Sequence, residues 1–331
     1  MLIDSESAWL EARKACITAT KVAGILGVHP YETPLTVYQE MTGQREVEQS
    51  EAMELGQAME PFIAAYYAKR HGLKLGEDVV KLDFARHPEN PRFGATPDYG
   101  IPATSTLLEC KWAGIHAARN FGDEESDEIP THYLCQVQWQ MFVTGYTKAI
   151  LVVLTGFGKL KEFPVKADKG LHQKMAFHAR KFLGEYIDGA CPPPLTGHTP
   201  DTEALLRQHP ADNGEVIAAS YELEETIAEL GRLVIASREQ DVEIERLKNE
   251  IKAFMGDAAM LTTDEGKFTW KKTSPKPKTD FQAVADGLLT YACMVPDPAL
   301  IRDEYARLMA EHTTTKEGTR TFRMPWKSER A

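Results

Sequence analysis

The chain has 331 residues, of which 43% are hydrophobic, 9% aromatic and 26% charged. These proportions are typical of globular proteins and argue against a disordered, fibrous or membrane-embedded class. The formal net charge of -11 excludes a generally basic protein that coats nucleic acid, although it leaves room for a local basic groove. The length exceeds the usual domain size of about 100–200 residues, so we expect one large domain and a smaller one.

The amino-terminal residues and the cysteines indicate the compartment. The start of the chain lacks the basic and apolar regions of a secretory signal, and no apolar run reaches the roughly 18 residues of a membrane span. The five cysteines have no CxxC spacing, which disfavours both a disulfide framework and a zinc site. We therefore expect a cytoplasmic protein with reduced cysteines and no membrane association.

The first 195 residues alternate helical and strand patterns after residue 50. This order predicts an α/β domain in which helices flank a mixed β-sheet. The predicted elements are, in chain order, a helix at 51–71, strands at 79–84, 92–98 and 106–112, a helix at 133–144, strands at 149–154 and 161–165, and a helix at 169–188.

Three consecutive prolines at 192–194 end this pattern and predict a linker over 196–218. Residues 219–331 are expected to form an α+β accessory region. It begins with a long amphipathic helix at 221–255, whose heptad register slips at Ser237 and Asp241. We therefore predict a helix that packs on the first domain or within its own hairpin, rather than a continuous coiled coil. A hairpin around 264–266, a helix around 280–309 and a strand in 319–327 complete the region.

The predicted hairpin carries lysines on both sides of a tryptophan. Lys267, Trp270, Lys271 and Lys272 are candidate DNA contacts, because such an interleaving suits phosphate binding and base stacking. A solvated hairpin with one core tryptophan explains the pattern equally well.

Two acids and a lysine carry the strongest chemical signal. Side chains alternate along a strand, so Glu109 and Lys111 share one face and Cys110 takes the other. If the strands at 92–98 and 106–112 pair, Asp98 lies beside Glu109, and the repulsion of two carboxylates calls for a hard cation such as Mg²⁺ or Mn²⁺. Such an ion, with a lysine beside the attacking water, is what phosphodiester hydrolysis needs. The alternative is a surface ion pair between Glu109 and Lys111.

Several separated motifs share one order with a known nuclease family. Over residues 8–190 the chain resembles the PD-(D/E)XK nuclease superfamily, and within it the phage-type YqaJ and lambda-exonuclease recombinases. The resemblance rests on Trp9 with Arg13, ITATKVAGILG, MELGQAMEPF, GATPD, LLECK and YLCQVQWQM.

The resemblance implies a role for each matching residue. Asp98, Glu109, the backbone carbonyl of Cys110 and Glu60 would hold two Mg²⁺ or Mn²⁺ ions, and Lys111 would position the nucleophilic water. Glu60 is otherwise a solvated helix residue.

Three further positions match the family. Gln136 would stand beside the active site, with Gln140 on the same helical face and Gln138 elsewhere; the alternative is an exposed polar face. Arg13 and Thr20 would receive a DNA 5′-phosphate, although Thr18 or Thr20 is also suited to a helix N-cap.

The function implied is a metal-dependent exonuclease that digests double-stranded DNA ends 5′ to 3′ and leaves 3′ single strands for phage-type recombination by annealing. An endonuclease, a single-strand-specific nuclease and a DNA-binding or annealing accessory protein are the alternatives. The expected partners are DNA ends, a single-strand annealing protein and further copies of the chain, as a trimer. If a phage or prophage encodes the protein, its compartment is the bacterial cytoplasm.

Overall fold

A computed structural model describes residues 12–47, 49–156, 158–294, 297–316 and 320–323. Trp9 and residues 324–327 of the predicted terminal strand lie outside these ranges. The chain divides into two compact units, Met1–Asn213 and Gly214–Ala331. Among the described residues, no helix is both long and apolar enough to cross a lipid bilayer.

The first unit alternates helices and strands as predicted. Its helices are α1 Ala19–Ile25, α2 Pro34–Met41, α3 Glu51–Arg70, α4 Thr131–Thr144, α5 Lys169–Phe182 and α6 Thr199–Gln208. Its strands are β1 Val80–Lys81, β2 Ala85–His87, β3 Asn90–Ala95, β4 Tyr99–Ile101, β5 Thr106–Ala113, β6 Lys148–Thr155 and β7 Leu160–Lys166.

Local sequence accounts for the ends of the two helices that flank the sheet. Ser50 accepts a hydrogen bond from the Met53 amide and so caps α3, whose last turn carries Lys69 and Arg70 where cations stabilise the helix dipole. Helix α4 ends at Gly145, whose φ of 78° lies in the left-handed region that glycine adopts without strain.

A five-stranded mixed sheet forms the centre of the first unit. Its order is β1-β4-β5-β6-β7, with β5 and β6 parallel and the other neighbours antiparallel. Helix α4 lies between β5 and β6 in the chain and provides the crossover that a parallel pair requires. The predicted mixed α/β core is therefore confirmed.

Helices cover the two faces of β5. Leu108 and Cys110 belong to one buried cluster with Ile63 and Tyr67 of α3. Leu107 packs instead with the α4 residues Val137 and Met141. Residues of β5 therefore face α3 or α4 according to the parity of their number.

The strands before β5 differ from the prediction. The sequence predicted one strand at 79–84 and another at 92–98. Asp98 was expected beside Glu109 if the second of these strands paired with 106–112, and that pairing is not observed. Strand β3 ends at Ala95 and pairs with β2, whereas β4 pairs with β5. Pro97, which has no amide hydrogen for a ladder, interrupts the predicted strand. Asp98 directly precedes β4 and still reaches β5.

Residues 196–208, at the start of the predicted linker, are ordered and belong to the first unit. Asp201 of α6 is buried and accepts hydrogen bonds from the hydroxyl groups of Thr33 and Thr196, the latter at 2.7 Å. The bond to Thr33, the N-cap residue of α2, holds α6 against the start of that helix.

The second unit contains the predicted long helix. Its elements are helices α7 Tyr221–Met255, α8 Phe281–Met294 and α9 Pro298–Glu311, and strands β8 Met260–Thr263, β9 Gly266–Lys272, β10 Lys276–Thr279, β11 Thr313–Lys316 and β12 Arg320–Arg323. The sheets have the orders β12-β9-β8 and β10-β11.

One prediction for this unit differs from the structure. The single helix at 280–309 is two helices, because Pro298 opens α9 and Asp297 caps it. On the apolar stripe of α7, Leu223, Ile227 and Leu230 are exposed, and the packing partner of this helix stays a prediction.

Candidate active site

Strand β5 places a carboxylate and a lysine on the face that α4 covers. Glu109 is 1% exposed, and its Oε1 lies 2.7 Å from the Lys111 Nζ. The thiol of Cys110 lies on the opposite face, and burial, together with Asp98 and Glu109, raises its pKa. The alternation predicted for 109–111 is therefore observed, and the ion pair joins a buried carboxylate to a half-buried lysine.

Helix α4 supplies two amides to the same carboxylate. Gln136 Nε2 donates to Glu109 Oε1, and Gln140 Nε2, one turn later, donates to Oε2 over 2.8 Å. Gln138 donates instead to the Lys166 carbonyl, so it faces elsewhere as predicted. Both carboxylate oxygens of Glu109 are thus fixed by donors from a second element.

Asp98 reaches this cluster from the residue before β4. Its Oδ2 accepts a hydrogen bond of 2.8 Å from the Cys110 backbone amide. Burial, reinforced by Glu109 and opposed by Lys111, raises the pKa of Asp98 to about 8. In the absence of a cation, the charged form of Asp98 is therefore disfavoured at neutral pH.

Lys111 keeps its proton in this surrounding. Burial alone would lower the pKa of Lys111, but Glu109 and Asp98 outweigh it, so the pKa lies above its usual value. Its ammonium group also lies 5.5 Å from the centre of the Tyr133 ring. It is a fixed positive charge beside the acid pair.

Glu60 stands apart from the pair. Its Oε2 forms an ion pair of 3.3 Å with Lys81, and its helix α3 packs on the Cys110 face of β5, away from Glu109. Glu60 still contributes to the raised pKa of Asp98. Over the ranges that the structure describes, no group of three or more acidic, histidine or cysteine side chains is arranged to hold a metal ion.

The acid pair nevertheless fits a hard divalent ion. Magnesium is commonly held by one or two protein carboxylates, with water and substrate phosphate completing its coordination. Asp98 and Glu109 supply two oxygen donors whose mutual repulsion a cation would relieve. Two carboxylates, those of Asp98 and Glu109, are thus enough to hold the ion, and Glu60 is not required.

The segment with Arg13 and Thr20 runs beside the strand that leads to Asp98. The Ile17 amide donates to the Arg92 carbonyl over 2.8 Å, and the Gly94 amide donates to the Ile17 carbonyl over 2.9 Å. Thr20 is exposed on α1. Thr18 occupies the N-cap position but makes no side-chain capping bond, so capping by Thr18 is not observed.

A buried lysine fixes the backbone around Arg13. Lys21 is 4% exposed and donates to the carbonyls of Arg13 and Cys16 over 3.0 and 3.3 Å. It also forms an ion pair of 3.1 Å with Glu40. Burial lowers the pKa of Arg13, and Glu40 opposes this change. The backbone of Arg13 is thus held at a defined position.

Sequence reasoning missed the positions of Thr96 and His132 and the unpaired oxygen of Gln140. The hydroxyl of Thr96, two residues before Asp98, and the Oε1 of Gln140 are buried without a hydrogen-bond partner among the described residues. His132 also lies close enough to Lys111 for the lysine to lower the histidine pKa. The spacing of Gln136 and Gln140 was a signal for the second amide, whereas no local signal marks Thr96 or His132.

Two of the three candidate lysines of β9 lie on the face opposite the tryptophan. Lys267 and Lys271 are exposed, whereas Trp270 is even-numbered like the buried Phe268 and lies on that side of the strand. Lys272 is exposed and shares the parity of Trp270. The interleaved surface expected from sequence is therefore two faces, one with Trp270 and Lys272 and one with Lys267 and Lys271.

Comparisons with known proteins agree with the motif order. Residues 8–147 match the model of the YqaJ-like viral recombinase domain. The uncharacterized protein YqaJ of Bacillus subtilis (strain 168) is 30% identical over 273 residues, which cover 81% of this chain and 83% of that protein. The uncharacterized protein R354 of Acanthamoeba polyphaga mimivirus is 26% identical over 148 residues, 41% of this chain and 26% of that protein.

Solved structures that match part of the chain include two exonucleases. The alkaline exonuclease LHK-Exo of Laribacter hongkongensis matches with a TM-score of 0.44 and 21% identity, over 61% of this chain and 97% of that one. A phage-related exonuclease of Haemophilus somnus 129PT matches with a TM-score of 0.42 and 14% identity, over 53% and 96%.

The first unit is thus a mixed α/β domain with a buried acid and lysine site. Given the extent of its identity to the Bacillus protein, the chain belongs to the family of YqaJ-like viral recombinase domains.

Proposed function

We propose that the chain is a metal-dependent deoxyribonuclease, an exonuclease that digests double-stranded DNA ends in the 5′-to-3′ direction and leaves 3′ single strands for recombination by annealing. The observation that carries this proposal is the convergence of Asp98, Glu109 and Lys111, with both oxygens of Glu109 held by amides of α4. Membership of a viral recombinase family agrees with it.

Asp98 and Glu109 are the proposed ligands of Mg²⁺ or Mn²⁺, with the Cys110 carbonyl as a third oxygen donor and two ions as the expected number. When bound, a divalent ion supplies a Lewis acid that neutralises charge on the phosphate and lowers the pKa of a water molecule. Gln136 and Gln140 keep the Glu109 carboxylate in one orientation. Glu60 is proposed only as a more distant carboxylate, since it pairs with Lys81.

Lys111 orients the attacking water in this proposal. Because its pKa lies above the usual value, the ammonium group acts as a donor and as a positive charge next to the phosphate. The ion pair with the buried Glu109 holds that charge beside the acids.

The direction of digestion depends on Arg13 and Thr20. A guanidinium can donate two parallel hydrogen bonds to a phosphate, and the backbone of Arg13 is anchored by Lys21. These residues are the proposed receptor of a 5′-phosphate, which only an enzyme that acts on ends requires. Assembly into a trimer and contact with a single-strand annealing protein remain part of the proposal.

The test compares substrates with and without ends. Linear duplex with 5′-phosphates should be degraded in the presence of Mg²⁺, and covalently closed circular DNA should not. Linear duplex with 5′-hydroxyl ends should be degraded more slowly, and Arg13→Ala should abolish that difference. Equal rates on linear and closed circular DNA would favour an endonuclease and overturn the exonuclease proposal.

A further inference from the structure

Four rings, two of tyrosine and two of histidine, contact one another in a row that leads from the exposed Tyr31 to Lys111. The rings of Tyr31 and His29 have centroids 6.1 Å apart, those of His29 and His132 5.5 Å, and those of His132 and Tyr133 4.1 Å. The last ring lies 5.5 Å from the Lys111 Nζ. We call this set of four residues the ring row.

The inner end of the ring row is anchored and its outer end is open. Tyr133 stacks on the buried Phe121, with an interplanar angle of 15°. Tyr31 is 75% exposed, and it lies between α1 and α2 in the chain. The row therefore offers a nearly free ring that is continuous with the acid and lysine site.

Both imidazoles of the row are neutral at neutral pH. Burial, together with the neighbouring His29 and Lys111, lowers the pKa of His132 to about 4. Burial also lowers the pKa of His29, whose Nδ1 accepts a hydrogen bond of 3.2 Å from the Tyr31 amide. Neutral rings are poor ligands for phosphate and good surfaces for stacking.

We infer that the ring row binds unpaired nucleobases of the DNA strand that enters the active site, with Tyr31 as its outer stacking surface. This inference rests on the proposed nuclease function and adds a base-binding subsite to it. A base inside a duplex has both faces covered by its neighbours, whereas an unpaired base has faces free to stack on a protein ring. Stacking on an aromatic side chain strengthens binding by roughly 5- to 150-fold per base and tolerates any sequence.

The experiment measures binding in Ca²⁺, in place of Mg²⁺, to a duplex whose 5′-phosphorylated strand has three unpaired terminal nucleotides. Tyr31→Ala should weaken binding about tenfold, within the range for loss of one stacked base, and Tyr31→Phe should retain it. Phe177→Ala is the matched control, because Phe177 is an exposed ring edge-on to His178 in the same unit. Its binding should equal that of the unaltered chain.

A second substrate tests the ligand chemistry. Abasic nucleotides in place of the three unpaired ones remove the bases but keep the phosphates, so the effect of Tyr31→Ala should disappear with them. An equal loss on both substrates, or no loss on either, would overturn the inference. If the unaltered chain binds neither duplex, the proposed function fails instead, which separates the two outcomes.

Discussion

The charged groups of the two units are arranged in opposite ways. In the first unit, Glu109 is buried and donors from β5 and α4 bind both of its oxygens. In the second unit, the lysines of β9 are exposed, and the charges of α7 pair locally, as Arg246 does with Glu243 and Glu250. Burying charge costs free energy whereas exposed pairs cost little, so the buried cluster is the stronger indication of function.

The substitution with the largest expected effect is at Asp98, and it tests whether the buried cluster of the first unit carries the function. Asp98→Asn should reduce cleavage of linear duplex by about 10³-fold or more, since a lost metal ligand removes several kcal/mol of transition-state stabilisation. DNA binding in Ca²⁺ should change little. The rate is measured in Mg²⁺ on end-labelled duplex.

Asp188→Asn is the control for Asp98→Asn, because Asp188 is an exposed carboxylate of the same unit that pairs with Arg92. It should leave the rate unchanged. Cleavage by Asp98→Asn at the rate of this control would show that the buried acid has no part in the chemistry.

Gln140→Leu should destabilise the first unit by about 1–3 kcal/mol, the usual cost of leaving a buried polar group without its partner. Glu109 Oε2 would lose its amide donor. Urea denaturation measures the change, with the exposed Gln173→Leu on α5 as the control. Equal midpoints for the two variants would mean that the amide does not hold the carboxylate.

The pH dependence of stability should reveal the raised pKa of Asp98, which is about 8 in the folded chain. The folded state binds a proton that the unfolded state has lost, so Asp98 reduces stability as the pH rises from about 4 to 8. In EDTA, Asp98→Asn should therefore raise the free energy of unfolding of the chain more at pH 8 than at pH 5. The gain should exceed about 1 kcal/mol, as one pKa unit corresponds to about 1.4 kcal/mol.

Thermal or urea unfolding at both pH values measures this gain. The same stability difference at pH 5 and pH 8 would contradict a raised pKa at this position.

The smallest effect is expected in the second unit. Replacement of Lys267 and Lys271 by alanine should leave the cleavage rate at saturating DNA unchanged. If both lysines contact phosphates, the slope of log affinity against log salt should become shallower by about 0.9 for each. Fluorescence anisotropy at several salt concentrations measures the slope, and an unchanged slope would remove these lysines from the DNA surface.

Local rules predicted the features of the site that depend on one element. Strand alternation placed Glu109 and Lys111 together, and the helical period placed Gln140 with Gln136. The position of Asp98 was expected on the condition that the strand at 92–98 pairs with 106–112, and this condition is not met, since β4 and not β3 joins β5. It was nevertheless found beside β5 because it directly precedes β4.

Features that depend on distant contacts could not be predicted. The face of β5 on which α3 packs decides where Glu60 lies, and no local pattern specifies that face. His29 and His132 are more than a hundred residues apart in sequence and meet only in the folded unit. Without that contact, each histidine resembles an ordinary loop or helix-end residue.

The most direct test of the central claim is calorimetric titration of the full chain with Mn²⁺ at pH 8. Asp98 and Glu109 should bind the ion, and Asp98→Asn or Glu109→Gln should weaken binding by at least about tenfold, the lower limit found even for groups that only support metal ligands. Glu60→Gln should weaken it less. Equal Mn²⁺ affinity in the unaltered chain and in both acid variants would contradict the account.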